Sequence, residues 1–347
     1  MLIVMSSRAT PAQIAEVCAT INHLGFEARP MPGGQRTAIG VVGNDRRIED
    51  SAVRGLPGIQ EIIHVSASYK QVSREWKADA TVIELSNGTR VGGPEVVVMA
   101  GPCAVESETQ VMHIAGYVAA AGATILRGGA FKPRTSPYAF QGLGVDGLKL
   151  LAAARDRFGL AIVTEALDPE SAELCAQYAD ILQIGARNMQ NFALLKHVGQ
   201  LGKPVLLKRG MAATIKEWLL AAEYIVAEGN PNVMLCERGI RSFDDATRNV
   251  MDVAAIAMAK QLTHLPIIAD PSHATGRRDL VVPVALASVA AGADGVIVET
   301  HHRPAEAMSD GPQALLPDDF DRMVAAIGPI ARTVGRTFGR AEARESV

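Results

Sequence analysis

Short apolar runs alternate with amphipathic stretches along most of this chain. Between residues 96 and 299 the runs are rich in valine, isoleucine and leucine, and the stretches between them have helical spacing of apolar residues. Continuous apolar runs indicate strands buried on both faces, as in a parallel sheet. The predicted strands are Val96–Ala100, Thr124–Arg127, Leu160–Glu165, Ile181–Ile184, Val205–Lys208, Val233–Glu237, Pro266–Asp270 and Gly295–Glu299.

Capping signals support helices between these strands. Polar N-cap residues stand at Ser107, Asp168, Thr214 and Ser242, followed by a proline or by a polar residue three positions on. Repeated β-α units over about 240 residues fit a closed barrel better than a doubly wound sheet. No GxGxxG follows the first strand, which also disfavours the open sheet. We therefore predict an α/β fold with a (β/α)₈ TIM barrel over residues 96–340.

The first 70 residues follow a different pattern. A strand is predicted at Leu2–Met5, then a helix from Thr10, with Gln13 completing a capping box, to a stop at Gly25. Further strands are predicted at Phe26–Arg29, Ala38–Val42 and Ile62–Val65. The pattern predicts a small ferredoxin-like α+β domain at 1–70, followed by a connector with short strands at 71–95.

Composition narrows the class of protein. The chain has 347 residues, 48% of them apolar and 20% charged, with a net charge of −3 and no long block of like charge. This balance argues against a nucleic-acid partner. Four cysteines without paired spacing indicate reduced thiols. Neither a signal peptide nor an apolar run long enough to span a membrane is evident, so we expect a cytoplasmic protein.

Basic residues cluster where the second barrel strand ends. Arg127, Lys132 and Arg134 stand there with Thr135 and Ser136, in a chain that is slightly acidic overall. Guanidinium and ammonium groups suit phosphate, although a solvated loop would look similar. Further cations follow other strands, at Arg187, Lys208, Arg209 and Arg238. Because strand ends converge at one face of a barrel, the set predicts a site for one or two phosphorylated molecules.

A second group combines a thiol, an imidazole and two carboxylates. Cys103, His273, Glu299 and Asp310 lie at or beyond the first, seventh and eighth strands, which are neighbours once a barrel closes. These ligands suit Mn²⁺, Fe²⁺, Co²⁺, Zn²⁺ or Cu²⁺. Taken singly, Cys103 could be a core residue, His273 a hydrogen-bonded loop residue and Asp310 part of a turn. The pattern alone leaves both interpretations open.

Several segments together resemble one family, 3-deoxy-D-arabino-heptulosonate-7-phosphate (DAHP) synthase, the entry enzyme of the shikimate pathway. The form it resembles is the short microbial one with an N-terminal ferredoxin-like (ACT-like) regulatory domain. The segments that carry the resemblance are Gly101–Glu106, Arg127–Gly142, Ile184–Asn188, Leu207–Gly210, Cys236–Gly239 and Asp270–His273, with Gly34–Thr37 and Val72–Glu75 near the N-terminus.

The resemblance implies a role for each matching residue. Cys103, His273, Glu299 and Asp310 would bind the metal, and Lys132, Cys103 and His273 would be catalytic, with Lys132 as the candidate proton donor. Erythrose 4-phosphate would meet Arg134, Thr135 and Ser136. One departure is His302, where the family has proline. Phosphoenolpyruvate would be bound by Arg127, Lys132, Ala186, Arg187, Lys208 and Arg238.

The resemblance also implies a homotetramer that tyrosine or phenylalanine inhibits. A sister family, 3-deoxy-D-manno-octulosonate 8-phosphate synthase, acts on arabinose 5-phosphate, and its loop usually reads Lys-Ala-Asn-Arg-Thr-Ser. The shorter Lys132–Ser136 segment favours the four-carbon sugar. A non-catalytic sensor of aromatic amino acids is the remaining alternative, but such a protein should have lost some of the cations or ligands, and all are present.

Overall fold

A computed structural model of the chain describes residues 1–32, 36–43, 50–63, 68–133 and 136–339. The chain divides into two compact units, Met1–Ala78 and Asp79–Val347, each with its own apolar core. The boundary falls inside the stretch predicted as a connector. None of the described helices combines the length and the apolar character needed to cross a membrane.

The first unit is a four-stranded antiparallel sheet with one helix among its described residues. Glu27–Pro32 pairs with Thr37–Val42, which pairs with Leu2–Met5, which in turn pairs with Ile59–Ile63. This is the strand order of a ferredoxin-like sheet. Thr10 and Gln13 form the predicted capping box, each side chain bonded to the other's backbone N–H. The elements are β1 Leu2–Met5, α1 Pro11–His23, β2 Glu27–Pro32, β3 Thr37–Val42 and β4 Ile59–Ile63.

Two boundaries in this unit differ from the prediction. Strand β2 continues past Arg29 to Pro32, because it lies at the sheet edge, where proline's missing N–H is tolerated. Strand β4 begins earlier, at Ile59, and residues 64–65 of the predicted strand lie outside the described residues. Gly40 in β3 makes room for the Trp76 ring, since a Cβ at that position would lie 1.8 Å from the ring. Trp76 is therefore a packing residue of the first unit.

The second unit is a closed barrel of eight parallel strands, as predicted. The last strand pairs with the first over the register Gly295↔Val97 to Glu299↔Gly101, which closes the sheet. Each predicted strand is present within one residue or so of its expected bounds. The barrel strands are β7 Val97–Gly101, β8 Ile125–Arg127, β9 Ala161–Ala166, β10 Ile181–Ile184, β11 Val205–Lys208, β12 Val233–Glu237, β13 Ile267–Ala269 and β14 Gly295–Glu299.

Helices connect the strands and surround the barrel. The predicted N-caps are present, with Ser107 before the helix Glu108–Ala121, Asp168 before Pro169–Tyr178 and Thr214 before Ile215–Ala227. A short hairpin precedes the barrel, with strands β5 Ile83–Glu84 and β6 Arg90–Val91, and its apolar side chains join the barrel core. The helices are α2 Glu108–Ala121, α3 Val145–Phe158, α4 Pro169–Tyr178, α5 Phe192–Gln200, α6 Ile215–Ala227, α7 Val253–Leu262, α8 Pro271–Thr275, α9 Arg278–Ala290 and α10 Pro317–Thr333.

The helix start predicted at Ser242 is wrong. Ser242 Oγ accepts only the nearby Asp244 N–H, and α7 begins at Val253 with Asp252 as its N-cap. The loop instead closes on itself through an antiparallel bridge between Ile240 and Val250, and the Arg248 N–H donates to the Thr275 carbonyl oxygen outside the loop. Tertiary pairing of the loop backbone therefore outweighs the local capping signal.

Candidate active site

A polar cavity of about 330 Å³ lies at the carboxyl ends of the barrel strands. Predicted site residues that line it are Lys132, Ser136, Ala186, Arg187, Lys208, Arg238, His273 and Asp310. Arg134 and Thr135 lie outside the described residues, so their predicted contacts stay predictions. The strand ends thus converge as the barrel prediction requires.

The four candidate metal ligands come together beside this cavity. One ligand atom from each of Cys103, Glu299 and Asp310 lies within 4.8 Å of the others. Cys103 Sγ is 3.3 Å from Asp310 Oδ2, and His273 Nε2 is 3.3 Å from Glu299 Oε1 and 4.0 Å from Asp310 Oδ2. A thiol, an imidazole and two carboxylates at this spacing fit a divalent transition metal.

Local backbone structure brings Cys103 and Asp310 to this place. Gly101 ends β7, and a Cβ there would lie 2.0 Å from the Arg127 carbonyl oxygen, so only glycine allows this approach. Asp310 has φ 50° and ψ 29°, and it is the one non-glycine residue of the described chain with positive φ. Backbone held in this region is uncommon and concentrates at functional sites.

Glu299 is buried among opposite charges. Its Oε1 accepts a hydrogen bond of 3.0 Å from Arg127 Nη1. Burial opposes ionisation, but the positive charges of His273, Arg127 and Lys132 outweigh it and lower the pKa of Glu299 to about 2. Burial, followed by the charge of Glu299, raises the pKa of Cys103 to about 12. The carboxylate is therefore ionised, whereas burial disfavours the thiolate form of Cys103.

Asp270 lies behind His273 and within ion-pair distance of both His273 and Lys208. His273 Nδ1 lies 2.8 Å from Asp270 Oδ2, and Lys208 Nζ donates to the same oxygen over 2.6 Å. Burial would raise the pKa of Asp270, but His273 and Lys208 hold it well below its usual value. A carboxylate behind an imidazole is the arrangement that orients metal-binding histidines.

Lys132 points at the thiol. Its Nζ donates to the Cys103 carbonyl oxygen over 2.9 Å and lies 3.1 Å from Cys103 Sγ. Burial works against its charge, but Cys103, ahead of the nearby carboxylates, raises the pKa of Lys132 above its usual value. Gly129 makes this position available, because a Cβ there would lie 2.6 Å from Lys132 Cδ. The ammonium group thus lies next to the candidate metal ligands with a proton to donate.

Two buried guanidinium groups at this site have N–H donors without a partner among the described residues. They are Nε of Arg127 and Nη1 of Arg238, and both side chains are almost fully buried. Burial lowers the pKa of Arg238, which shows that its charge is poorly compensated in the protein alone. An unpaired buried donor is destabilising by about 1–3 kcal/mol, and more for charged groups. These donors are complementary to an anionic ligand.

Arg209 does not belong to this set. Its Nη1 forms ion pairs with Glu237 at 2.8 Å and Asp252 at 3.0 Å, and its Nε donates to the Ala213 carbonyl oxygen. Arg209 is therefore engaged by the protein itself, and the strand-end prediction was wrong in adding it to the convergent cations. Its position directly after Lys208 explains this, because successive residues point in opposite directions.

His302, the departure from the family pattern, stacks on His301 with ring centroids 4.9 Å apart and lies 4.8 Å from the ring of His113 in α2. The loop that follows is anchored separately, since Glu106 Oε1 accepts the Met308 N–H over 2.8 Å. Asp310 keeps its place beside Cys103 with histidine at position 302.

Sequence reasoning missed two residues at this site. Arg248 lines the cavity from the loop between β12 and α7, and Gln313 donates to Glu299 Oε2 over 2.7 Å. Neither residue directly follows a strand, so a search of the residues at predicted strand ends could not find them. Glu165 stood at a strand end and does line the cavity, although no role was assigned to it.

Comparison with known proteins gives a consistent result. The model of the DAHP synthetase I family matches residues 80–330, and that of the DAHP synthase ferredoxin-like domain matches residues 1–67. A phospho-2-dehydro-3-deoxyheptonate aldolase of Thermotoga maritima is 44% identical over 335 residues, which cover 96% of this chain and 99% of that protein.

Other relatives cover less of the chain. A 2-dehydro-3-deoxyphosphooctonate aldolase of Acidithiobacillus ferrooxidans is 33% identical over 234 residues, or 62% of this chain and 82% of that protein. Among solved structures, the crystal structure of the Thermotoga maritima DAHP synthase has a TM-score of 0.78 at 43% identity. It covers 97% of this chain and 99% of that one. The barrel and the first unit thus have counterparts in a single relative.

Proposed function

The chain belongs to the DAHP synthetase I family, as its motifs predicted, and from that premise we propose that it condenses phosphoenolpyruvate with erythrose 4-phosphate. C3 of phosphoenolpyruvate adds to the aldehyde carbon, water adds to C2, and the C2–O bond to phosphate breaks. The products are DAHP and inorganic phosphate. The observation that carries this proposal is the pair of buried, unpartnered arginine donors next to a Cys-His-Glu-Asp cluster.

Phosphoenolpyruvate is a small trianion, and the cavity offers what it needs. Arg238 and Lys208 are buried cations in the lining, and Arg187 is a more exposed one. We assign the phosphate and carboxylate of phosphoenolpyruvate to these residues with Arg127, Lys132 and Ala186. Ser136 also lines the cavity. We assign the phosphate of erythrose 4-phosphate to Ser136, Arg134 and Thr135. Cations between two phosphorylated substrates reduce their repulsion and orient them for attack.

The metal is the second part of the proposal. Cys103, His273, Glu299 and Asp310 would hold a divalent ion, whose Lewis acidity polarises a carbonyl oxygen. The donor set suits Mn²⁺, Fe²⁺, Co²⁺, Zn²⁺ or Cu²⁺. Lys132 lies within hydrogen-bond distance of Cys103 and carries a proton, so we assign it to protonate the aldehyde oxygen as the new C–C bond forms.

The test is phosphoenolpyruvate consumption by chelator-stripped protein. Erythrose 4-phosphate and arabinose 5-phosphate are offered separately, before and after addition of Mn²⁺. Consumption with the four-carbon sugar alone, restored by metal, is the expected result. Consumption with arabinose 5-phosphate alone would assign the chain to octulosonate synthesis. No consumption with either sugar would leave a non-catalytic role.

Regulation is proposed for the first unit. Residues 1–67 match the ferredoxin-like domain of DAHP synthases and fold as a compact unit. We propose that it binds tyrosine or phenylalanine, which lowers the rate, and that the protein is a homotetramer. The initial rate with each amino acid, with tryptophan as a control, tests the first statement. Light scattering on the purified chain tests the second.

A further inference from the structure

Gln313 connects a candidate metal ligand to an arginine that the sequence did not single out. It lies in the turn Gly311–Gln313, directly after Asp310, and is 3% exposed. Its Nε2 donates to Glu299 Oε2 over 2.7 Å, and its Oε1 accepts from Arg248 Nη1 over 3.2 Å. Because the carboxylate must accept and the guanidinium must donate, the amide is held in one orientation.

Arg248 also faces the second carboxylate of the cluster. Its Nη1 lies 3.7 Å from Asp310 Oδ1, while Asp310 Oδ2 lies 3.3 Å from Cys103 Sγ. The two carboxylate oxygens of Glu299 also face different groups. Its Oε1 faces Arg127 and His273, and its Oε2 faces Gln313. In each carboxylate one oxygen lies in the ligand cluster, and the other faces the Arg248–Gln313 pair.

The backbone provides a place for Arg248. Its N–H donates to the Thr275 carbonyl oxygen over 3.0 Å, at the end of α8, the helix that carries His273. Gly276 follows with φ +67°, and a Cβ there would lie 2.7 Å from Arg248 Cβ. Arg248 is thus packed against the segment that carries His273. It faces the Asp310 carboxylate directly and the Glu299 carboxylate through Gln313.

We propose that Arg248 and Gln313 are positioning residues that hold the Glu299 and Asp310 carboxylates in metal-binding orientation. This inference rests on the proposed function, since it concerns the metal site named there. Partners of metal ligands typically change metal affinity by about 10–100-fold when they are removed.

The experiment uses the full chain, stripped with chelator and titrated with Co²⁺ alone. A thiolate bound to Co²⁺ gives a charge-transfer absorption, so the signal reports on Cys103 without any turnover. Gln313→Leu and Arg248→Met should each weaken Co²⁺ binding by about 10–100-fold. Because part of the Arg248 effect passes through Gln313, the double variant should lose less than the product of the two single losses. The matched control is Arg277→Met, an exposed arginine paired with Asp279, which should bind Co²⁺ like the unaltered chain.

The outcomes separate this inference from the proposed function. If the unaltered chain shows no Co²⁺ absorption, the metal site itself is refuted. If the unaltered chain and both single variants bind Co²⁺ equally, the positioning role is refuted. An Arg248→Met protein with unchanged Co²⁺ affinity and a raised KM for a substrate would make Arg248 a substrate contact instead. Should Gln313→Leu fail to fold by circular dichroism, Gln313→Asn, which keeps the amide but withdraws it, gives the same readout.

Discussion

Replacement of Arg238 by methionine should stabilise the protein and weaken phosphoenolpyruvate binding at the same time. The side chain is 5% exposed, its Nη1 has no partner among the described residues, and burial lowers its pKa. Methionine fills similar space without a charge. Removing an unpaired buried donor should therefore raise the free energy of unfolding of the substrate-free protein by about 1–3 kcal/mol.

The effect on ligand binding has the opposite sign. A hydrogen bond to a charged group contributes about 1.5–3 kcal/mol, which corresponds to a loss of phosphoenolpyruvate affinity of roughly 10- to 150-fold. At a ligand concentration of about 100 Kd, phosphoenolpyruvate should stabilise the unaltered protein by about 2.7 kcal/mol. At that same concentration, a variant with a tenfold weaker Kd should gain only about 1.4 kcal/mol.

Unfolding curves with and without phosphoenolpyruvate measure both effects in one experiment. The expected result is a higher stability without ligand and a smaller gain with it. Arg209→Met is the matched comparison, because Arg209 is equally buried but paired with Glu237 and Asp252, and its removal should destabilise the protein. If Arg238→Met destabilises the protein and keeps the full gain from phosphoenolpyruvate, Arg238 is a structural residue.

Three further predictions concern Lys132, Cys103 and Gly40. Lys132→Ala should lower kcat by about 10²–10⁴-fold in the phosphoenolpyruvate assay, the range for general acid catalysis, and a near-normal kcat would remove Lys132 as proton donor. Cys103→Ser should abolish the charge-transfer absorption of the Co²⁺-loaded chain, whereas a persisting band would assign the thiolate to another cysteine. Gly40→Ala should destabilise the first unit by about 1–3 kcal/mol, because the new Cβ meets the Trp76 ring. Thermal melts of the variant check this, and an unchanged transition would show that the ring moves aside at no cost.

The barrel could be predicted because each strand carries its own signal. Runs such as Val205–Lys208 are buried on both faces, so they are mostly apolar. Such a run can be recognised in the sequence without knowledge of its tertiary contacts. Cys103 and Glu299 could be found because a closed barrel places the ends of its first and last strands together. These residues required only topology and residue type.

The residues that were missed or misassigned depend on tertiary contacts. Arg248 reaches the site from the middle of a loop, and its position follows from pairing with Thr275 and from the space at Gly276. Ser242 has the chemistry of an N-cap, but backbone pairing of its loop, which includes the bridge between Ile240 and Val250, outweighs that signal. Arg209, like Lys208, is a basic residue at a strand end, and only the direction of its side chain distinguishes the two.

Closure of the barrel between β14 and β7 has a consequence for folding. Glu299 is the last residue of β14, and Cys103 follows the end of β7, so these two candidate ligands come from opposite ends of the barrel sequence. A bound ion would act as a reversible crosslink across the longest loop in the barrel, and its binding energy would count toward folding. The seam between these two strands is then the place where the stripped protein should open first, detectable by faster amide hydrogen exchange in β7 and β14 than in β10 and β11.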